Sequence, residues 1–198
     1  MQVRGYYAVC EELSLAEKLV RGGAAILQMR AKRASSRELV ALGRELRALT
    51  REAGIPFVVN DRLDVALIVE ADAVHLGQDD LPLAAARRVA GGRLAIGIST
   101  HTPAQAEEFA RAGADYLGFG PVYATTTKEN PDPVQGVAAL AEAVRRAAPV
   151  PVVAIGGITV ERAPEIVAAG AAAMCVIGAV NAAPDPVEAA RQIAAAFR

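Results

Sequence analysis

Two stretches follow one plan: RAGADYLGFG at residues 111–120 and AAGAAAMCVIG at residues 168–178. Each reads as a helix end, an Ala-Gly-Ala turn, an apolar run and a closing glycine. Glycine supplies the left-handed residue that ends a helix, and the run lacks the in-out alternation of a strand with one wet face. A strand covered on both sides belongs to a parallel sheet wrapped by helices. Working outward, similar runs recur as YYAV (6–9), AILQM (25–29), FVVN (57–60), AVHL (73–76), LAIGIS (94–99) and VVAIG (152–156). With YLGFG (116–120) and MCVIG (174–178) they make eight candidate strands. Repetition of a βα unit of roughly two dozen residues predicts closure into a (β/α)8 TIM barrel. The same alternation permits an open doubly wound sheet. Eight units close naturally, however, and no G-x-G-x-x-G follows the first strand. The expectation is a compact α/β barrel occupying residues 1–198 as a single domain, smaller than the ~250 residues typical of the class.

Between the runs, Ser14 with Glu17, Ser35 with Glu38, and Thr102 with Pro103 and Gln105 have the spacing of helix-capping boxes. Gly54, Gly113 and Gly170 are placed to stop helices. The chain is 53% hydrophobic but only 4% aromatic, without tryptophan. That allows a sizeable aliphatic core and denies a large stacking platform. Its 21 lysines and arginines balance 22 aspartates and glutamates, so no global field draws in nucleic acid or an anionic membrane. Anionic ligands must be held by local chemistry. Cys10 and Cys175 lie within apolar runs and read as buried free thiols, which fits a reducing cytoplasm. The opening MQVRGYYAVCEELS lacks a signal pattern, and no apolar run approaches the roughly 20 residues that span a bilayer. The expectation is a cytoplasmic protein with no nucleic-acid and no membrane partner.

In such barrels chemistry sits at the carboxyl ends of the strands. After the second run come Gln28, Arg30 and Lys32; after the third, Asn60 and Asp61; after the fourth, His75, Gln78, Asp79 and Asp80. Ser99 and His101 follow the fifth, and Thr125, Thr127 and Lys128 follow the sixth, within GFGPVYATTTKENPDPVQG (118–136). Gly156 and Gly157 in IGGIT (155–159) and Gly178 in VIGAV (176–180) end the last two strands. There, backbone N–H groups can approach a phosphate; alternatively these glycines only permit tight turns. Asp61 and Asp80 end adjacent strands and can face one Mg2+, which accepts few hard oxygen ligands completed by water and phosphate. The alternative is that each caps a helix. Arg30 and Lys32 alternate on an extended segment and would point the same way, as paired cations or as a solvated rim pair. His75 and His101 read more readily as hydrogen-bonded structural residues than as bases, and Asp79 as solvent-facing.

Together, QMRAK (28–32), VNDR (59–62), ADAVHLGQDDLP (71–82), GISTH (97–101), DYLGFGPVYATTTK (115–128) and AIGGIT (154–159) resemble the thiamine phosphate synthase family, in order and across nearly the whole chain. The resemblance implies a compact (β/α)8 barrel with Mg2+ as cofactor. Such an enzyme, a transferase, joins a hydroxymethylpyrimidine diphosphate to a thiazole phosphate, releasing pyrophosphate and thiamine phosphate. It also implies that Gln28, Arg30, Lys32 and Asn60 hold the pyrimidine diphosphate, that Asp61 and Asp80 bind Mg2+, and that Ser99 and Lys128 contact the diphosphate or pyrimidine. Thr125 and Thr127, with the backbone at Gly157, Ile177 and Gly178, form the implied thiazole phosphate site, and Thr126 is the least involved of the three threonines.

Two departures from the family pattern stand out: AVCEELS (8–14), where relatives carry a longer loop after the first strand, and Gly178, where many have serine. Thiazole tautomerases resemble the same fold but carry histidine at the position of Pro121 and need no metal-bound diphosphate. A second alternative is a non-catalytic barrel that senses a phosphorylated metabolite. Family members are often homodimers, and the alanine-rich outer helices would allow such packing.

Overall fold

The computed structural model describes residues 1–125 and 132–197. Eight parallel strands close into a barrel in sequence order: β1 (Gly5–Cys10), β2 (Ile26–Met29), β3 (Phe57–Asn60), β4 (Ala73–Leu76), β5 (Ala95–Thr100), β6 (Tyr116–Phe119), β7 (Val152–Ile155) and β8 (Ala173–Cys175). Closure comes from β1 against β8, with Tyr7 opposite Cys175. The open-sheet alternative is thereby set aside, and all eight predicted runs are strands.

Alternate strand residues point to opposite faces, and here both faces are dry. Tyr7, Val9, Ile26, Val58, Tyr116 and Val153 pack inside the barrel. Their neighbours Tyr6, Ala8, Leu27, Phe57, Val59 and Leu117 pack outward into the helical shell. That is why the runs show no polar alternation. The shell consists of α1 (Leu13–Arg21), α2 (Ser36–Ala53), α3 (Leu63–Ile68), α4 (Leu83–Ala90), α5 (Pro103–Arg111), α6 (Gly136–Ala147), α7 (Ala163–Ala168), α8 (Gly178–Asn181) and α9 (Pro186–Ala195).

The capping expectations divide. Ser35 accepts from the Glu38 N–H while the Glu38 carboxylate accepts from the Ser35 N–H, and Thr102 accepts from the Gln105 N–H. Ser14 does not cap: α1 already begins at Leu13, and the Ser14 hydroxyl donates to Glu12 at 2.9 Å. Gly54 ends α2 in the left-handed conformation, as expected.

At the amino-terminal end of the barrel, aspartates hold strand starts. Asp72 accepts from the Phe57 N–H at 2.7 Å and takes both guanidinium arms of Arg47 at 2.6 and 3.1 Å. Asp115 likewise accepts from the Ile96 N–H at 2.7 Å and pairs with Arg87 at 2.8 Å. Among the described residues no helix is long and apolar enough to cross a membrane.

Candidate active site

At the opposite end the acids lie against each other. The Asp61 N–H donates to the His75 carbonyl at 2.9 Å, and Asp61 takes φ 62°, a left-handed conformation that aspartate tolerates better than most side chains. Asp80 folds back over its own loop, accepting from the Gly77 N–H at 2.6 Å. The two carboxyl groups are close enough to interact, and burial, then the charge of Asp80, raises the Asp61 pKa to about 6, against the pull of Lys32 and Arg30. Neither acid caps a helix: the N-cap positions of α3 and α4 are Arg62 and Pro82, without side-chain bonds.

Two half-buried carboxylates facing each other call for a cation between them. Their hard oxygens suit Mg2+, whose shell is completed by water and substrate phosphate. Among the described residues no group of three or more His, Cys, Asp or Glu side chains could hold a metal, so the donor set is not that of a structural zinc site. Arg30 and Lys32 line the same cavity as the acids, although not as an extended pair: β2 ends at Met29 and Lys32 occupies a turn.

A cavity of about 1080 Å³ opens at this end, and Gln28, Arg30, Lys32, Asn60, Asp61, Asp80, Ser99, Thr125, Gly157, Ile177 and Gly178 all line it. Thr126, Thr127 and Lys128 lie outside the described residues. Asp79 is exposed at the rim, as expected. His101 is a structural partner, its Nδ1 2.7 Å from the Gly120 carbonyl and its Nε2 3.5 Å from Asp132.

Beneath the cavity runs a chain of hydrogen bonds from strand to strand. Gln28 Nε2 donates to Asn60 at 3.1 Å, and the Tyr7 hydroxyl donates to Gln28 Oε1 at 2.7 Å. Tyr7 and Tyr116 hydroxyls lie 3.1 Å apart, Tyr116 meets His75 Nδ1 at 3.1 Å, and His75 Nε2 meets Ser99 at 3.0 Å. Burial lowers the His75 pKa to about 4, against the opposing charge of Asp80, and raises those of both tyrosines. The rings fit because two strand residues lack side chains. A Cβ on Gly97 would meet Tyr116 Cζ at 2.1 Å, and one on Gly118 would meet His75 Cε1 at 3.1 Å.

The loops after β6 and β7 are fastened together. Val122 and Tyr123 donate to the carbonyls of Ile155 and Gly156 at 2.9 and 3.0 Å. Gln135 and Gly136 donate back to Pro121 and Val122 at 2.9 and 3.1 Å, closing the base of the excursion that holds the threonines. Gly157 has φ 60°, and a Cβ there would meet the Ala124 carbonyl oxygen at 2.4 Å. Only glycine fits so close an approach. Arg162 locks the corner, donating to the Gly157 carbonyl at 2.6 Å and lying over the Tyr123 ring, 4.4 Å from its centre.

A family model described as thiamine monophosphate synthase matches residues 6–180. The chain belongs to that family. Among this synthase family's members, the thiamine-phosphate synthase of Chloroflexus aurantiacus is 49% identical over 179 residues, covering 90% of this chain and 82% of the relative. That of Methanospirillum hungatei is 45% identical over 185 residues, covering 93% and 89%. The solved thiamine phosphate pyrophosphorylase from Pyrococcus furiosus superposes with a TM-score of 0.91 at 37% identity, over 99% of this chain and 96% of that one. This synthase-family barrel is therefore an enzyme of the transferase class.

Three residues that line the cavity escaped the sequence reading: Tyr7, Tyr116 and Arg162. The tyrosines sit in apolar runs, and only the strand glycine at 97 hinted at a bulky interior neighbour. Arg162 lies on the approach to α7, where an arginine reads as solvent-facing.

Proposed function

We propose that this chain is a Mg2+-dependent thiamine-phosphate synthase. It couples 4-amino-2-methyl-5-hydroxymethylpyrimidine diphosphate with 4-methyl-5-(2-phosphoethyl)thiazole, in its carboxylated form, giving thiamine phosphate, pyrophosphate and CO2. The observation that carries the reading is the apposition of Asp61 and Asp80 in one cavity with Arg30, Lys32 and the Gly157 and Gly178 loops. Asp61 and Asp80 would hold the metal ion, which supplies charge neutralisation to a diphosphate leaving group.

The protein's own work is alignment and electrostatics. The C–O bond to diphosphate breaks with its electron pair leaving on oxygen, and positive charge spreads into the electron-rich pyrimidine. The thiazole nitrogen lone pair then forms the new C–N bond, and the acceptor's carboxylate leaves as CO2. Arg30 and Lys32 stabilise the departing diphosphate, while Gln28, Asn60 and Ser99 hold the pyrimidine. Thr125 and the backbone N–H groups near Gly157, Ile177 and Gly178 hold the thiazole phosphate. By the family resemblance, Lys128 joins the diphosphate cluster and Thr127 the thiazole site. The buried free thiols Cys10 and Cys175, their pKa values raised to about 12 by burial, fit a cytoplasmic enzyme.

The test is pyrophosphate release by purified protein with both substrates, with and without Mg2+. Isomerisation of the thiazole phosphate without pyrophosphate release would replace this reading with the tautomerase. Binding without turnover would replace it with the sensor.

A further inference from the structure

The hydrogen-bond chain beneath the cavity has a direction, and the two tyrosine hydroxyls at its middle bond none of Arg30, Lys32, Asp61 and Asp80. A tyrosine hydroxyl donates one proton and accepts others, whereas an amide presents donors on one side and an acceptor on the other. The Tyr7 proton goes to Gln28 Oε1, so the Tyr7 oxygen accepts from the hydroxyl of Tyr116, 3.1 Å away. Tyr116 in turn accepts from His75 Nδ1 at 3.1 Å. With Oε1 occupied, Gln28 must turn Nε2 to Asn60 Oδ1, at 3.1 Å. The Asn60 Nδ2 group and the second Gln28 Nε2 proton are then left for whatever occupies the cavity that both residues line.

We propose that Tyr7 is a positioning residue: steadied by Tyr116, its hydroxyl fixes which way the Gln28 and Asn60 amides face, so that the cavity offers N–H donors at Gln28 and Asn60 and, at the far end of the chain, an acceptor in Ser99 Oγ, whose proton goes to His75 Nε2. This rests on the pyrimidine reading of the site and deepens it. A 4-aminopyrimidine presents an acceptor nitrogen to the amides and an amino donor to Ser99; the 4-oxo analogue reverses both, so donor meets donor and acceptor meets acceptor. Remove the Tyr7 hydroxyl and Gln28 is free to flip, taking Asn60 with it. The Gly97 gap is the second support, because it seats the Tyr116 ring that steadies Tyr7.

The experiment compares wild type, Tyr7→Phe and Gly97→Ala by calorimetry in Mg2+ buffer. The probes are the 4-aminopyrimidine diphosphate, its 4-oxo analogue and inorganic pyrophosphate; KM and kcat are measured in parallel. Tyr7→Phe is expected to weaken the amino ligand about tenfold and to reduce the amino-over-oxo preference by a similar factor, with pyrophosphate affinity within about twofold of wild type. The loss should fall on KM for the pyrimidine substrate rather than on kcat. Gly97→Ala, which displaces the Tyr116 ring without removing a polar group, should shift the preference the same way. Unchanged preference in Tyr7→Phe, or equal weakening of pyrophosphate, overturns the proposal. Wild type that binds the amino ring selectively but releases no pyrophosphate with the thiazole partner supports this inference while the reaction reading fails. Wild type that binds pyrophosphate but neither ring removes both.

Discussion

At the amino-terminal end of the barrel, Asp72 and Asp115 are each met by an arginine and a strand N–H. At the carboxyl-terminal end, Asp61 and Asp80 are met by each other. Both ends have a cavity; the one near the amino end, about 860 Å³, is flanked by Arg47 and Arg51, which are already paired with Asp72 and Glu70. Matched charges fasten strands to helices. Mismatched ones keep a local electrostatic demand that a ligand can satisfy, which marks a working site.

Replacing an acid at either end would break that contrast if the outcomes were alike. Asp61→Asn or Asp80→Asn should lower kcat/KM for pyrophosphate release at least ~100-fold, about 3 kcal/mol of transition-state stabilisation. Thermal melting of these variants should show no loss of stability. Asp72→Asn should do the reverse, removing about 2 kcal/mol in urea unfolding because Arg47 loses its charged partner, while kcat/KM stays within about twofold. A destabilised Asp61→Asn, or an inactive but stable Asp72→Asn, would undo the distinction.

Smaller effects sharpen it. Gly157→Ala should raise KM for the thiazole phosphate about tenfold, since its Cβ would press on the Ala124 carbonyl at 2.4 Å. Acid titration separates the ends further. The folded pKa of Asp61, about 6, lies above its ordinary 3.8, so the folded chain holds that proton more tightly. Its contribution to stability is complete below the unfolded value and disappears as pH rises through 6. Metal-free wild type should therefore gain stability between pH 7.5 and 5 relative to Asp61→Asn, by about 1 kcal/mol or less, because solvent screens a half-exposed group. Gly178→Ser should leave thiazole phosphate affinity unchanged or modestly tighter by calorimetry; marked weakening would contradict the placement of that loop.

The strands were legible because two-sided burial and glycine punctuation are local signals: FVVN and AVHL announce β3 and β4 without reference to anything distant. The acids were legible for the same reason, once strand ends were known. What stayed hidden depended on contacts far apart in sequence. Nothing near Tyr7 indicates that its hydroxyl meets Tyr116, which lies 109 positions later. The spacing of Arg30 and Lys32 suggested an extended pair, whereas the strand stops first and a turn brings both cations to the same cavity. Ser14 had the composition of a cap, but α1 starts earlier and the hydroxyl is spent on Glu12.

The pairing of Tyr7 with Cys175 makes the first strand and the last one neighbours. A growing polypeptide therefore carries its acids and cations long before it has a wall to enclose them. Contacts across so wide a span form slowly, and until they do the cavity lacks part of its wall. The catalytic face is assembled only when the eighth strand docks on the first.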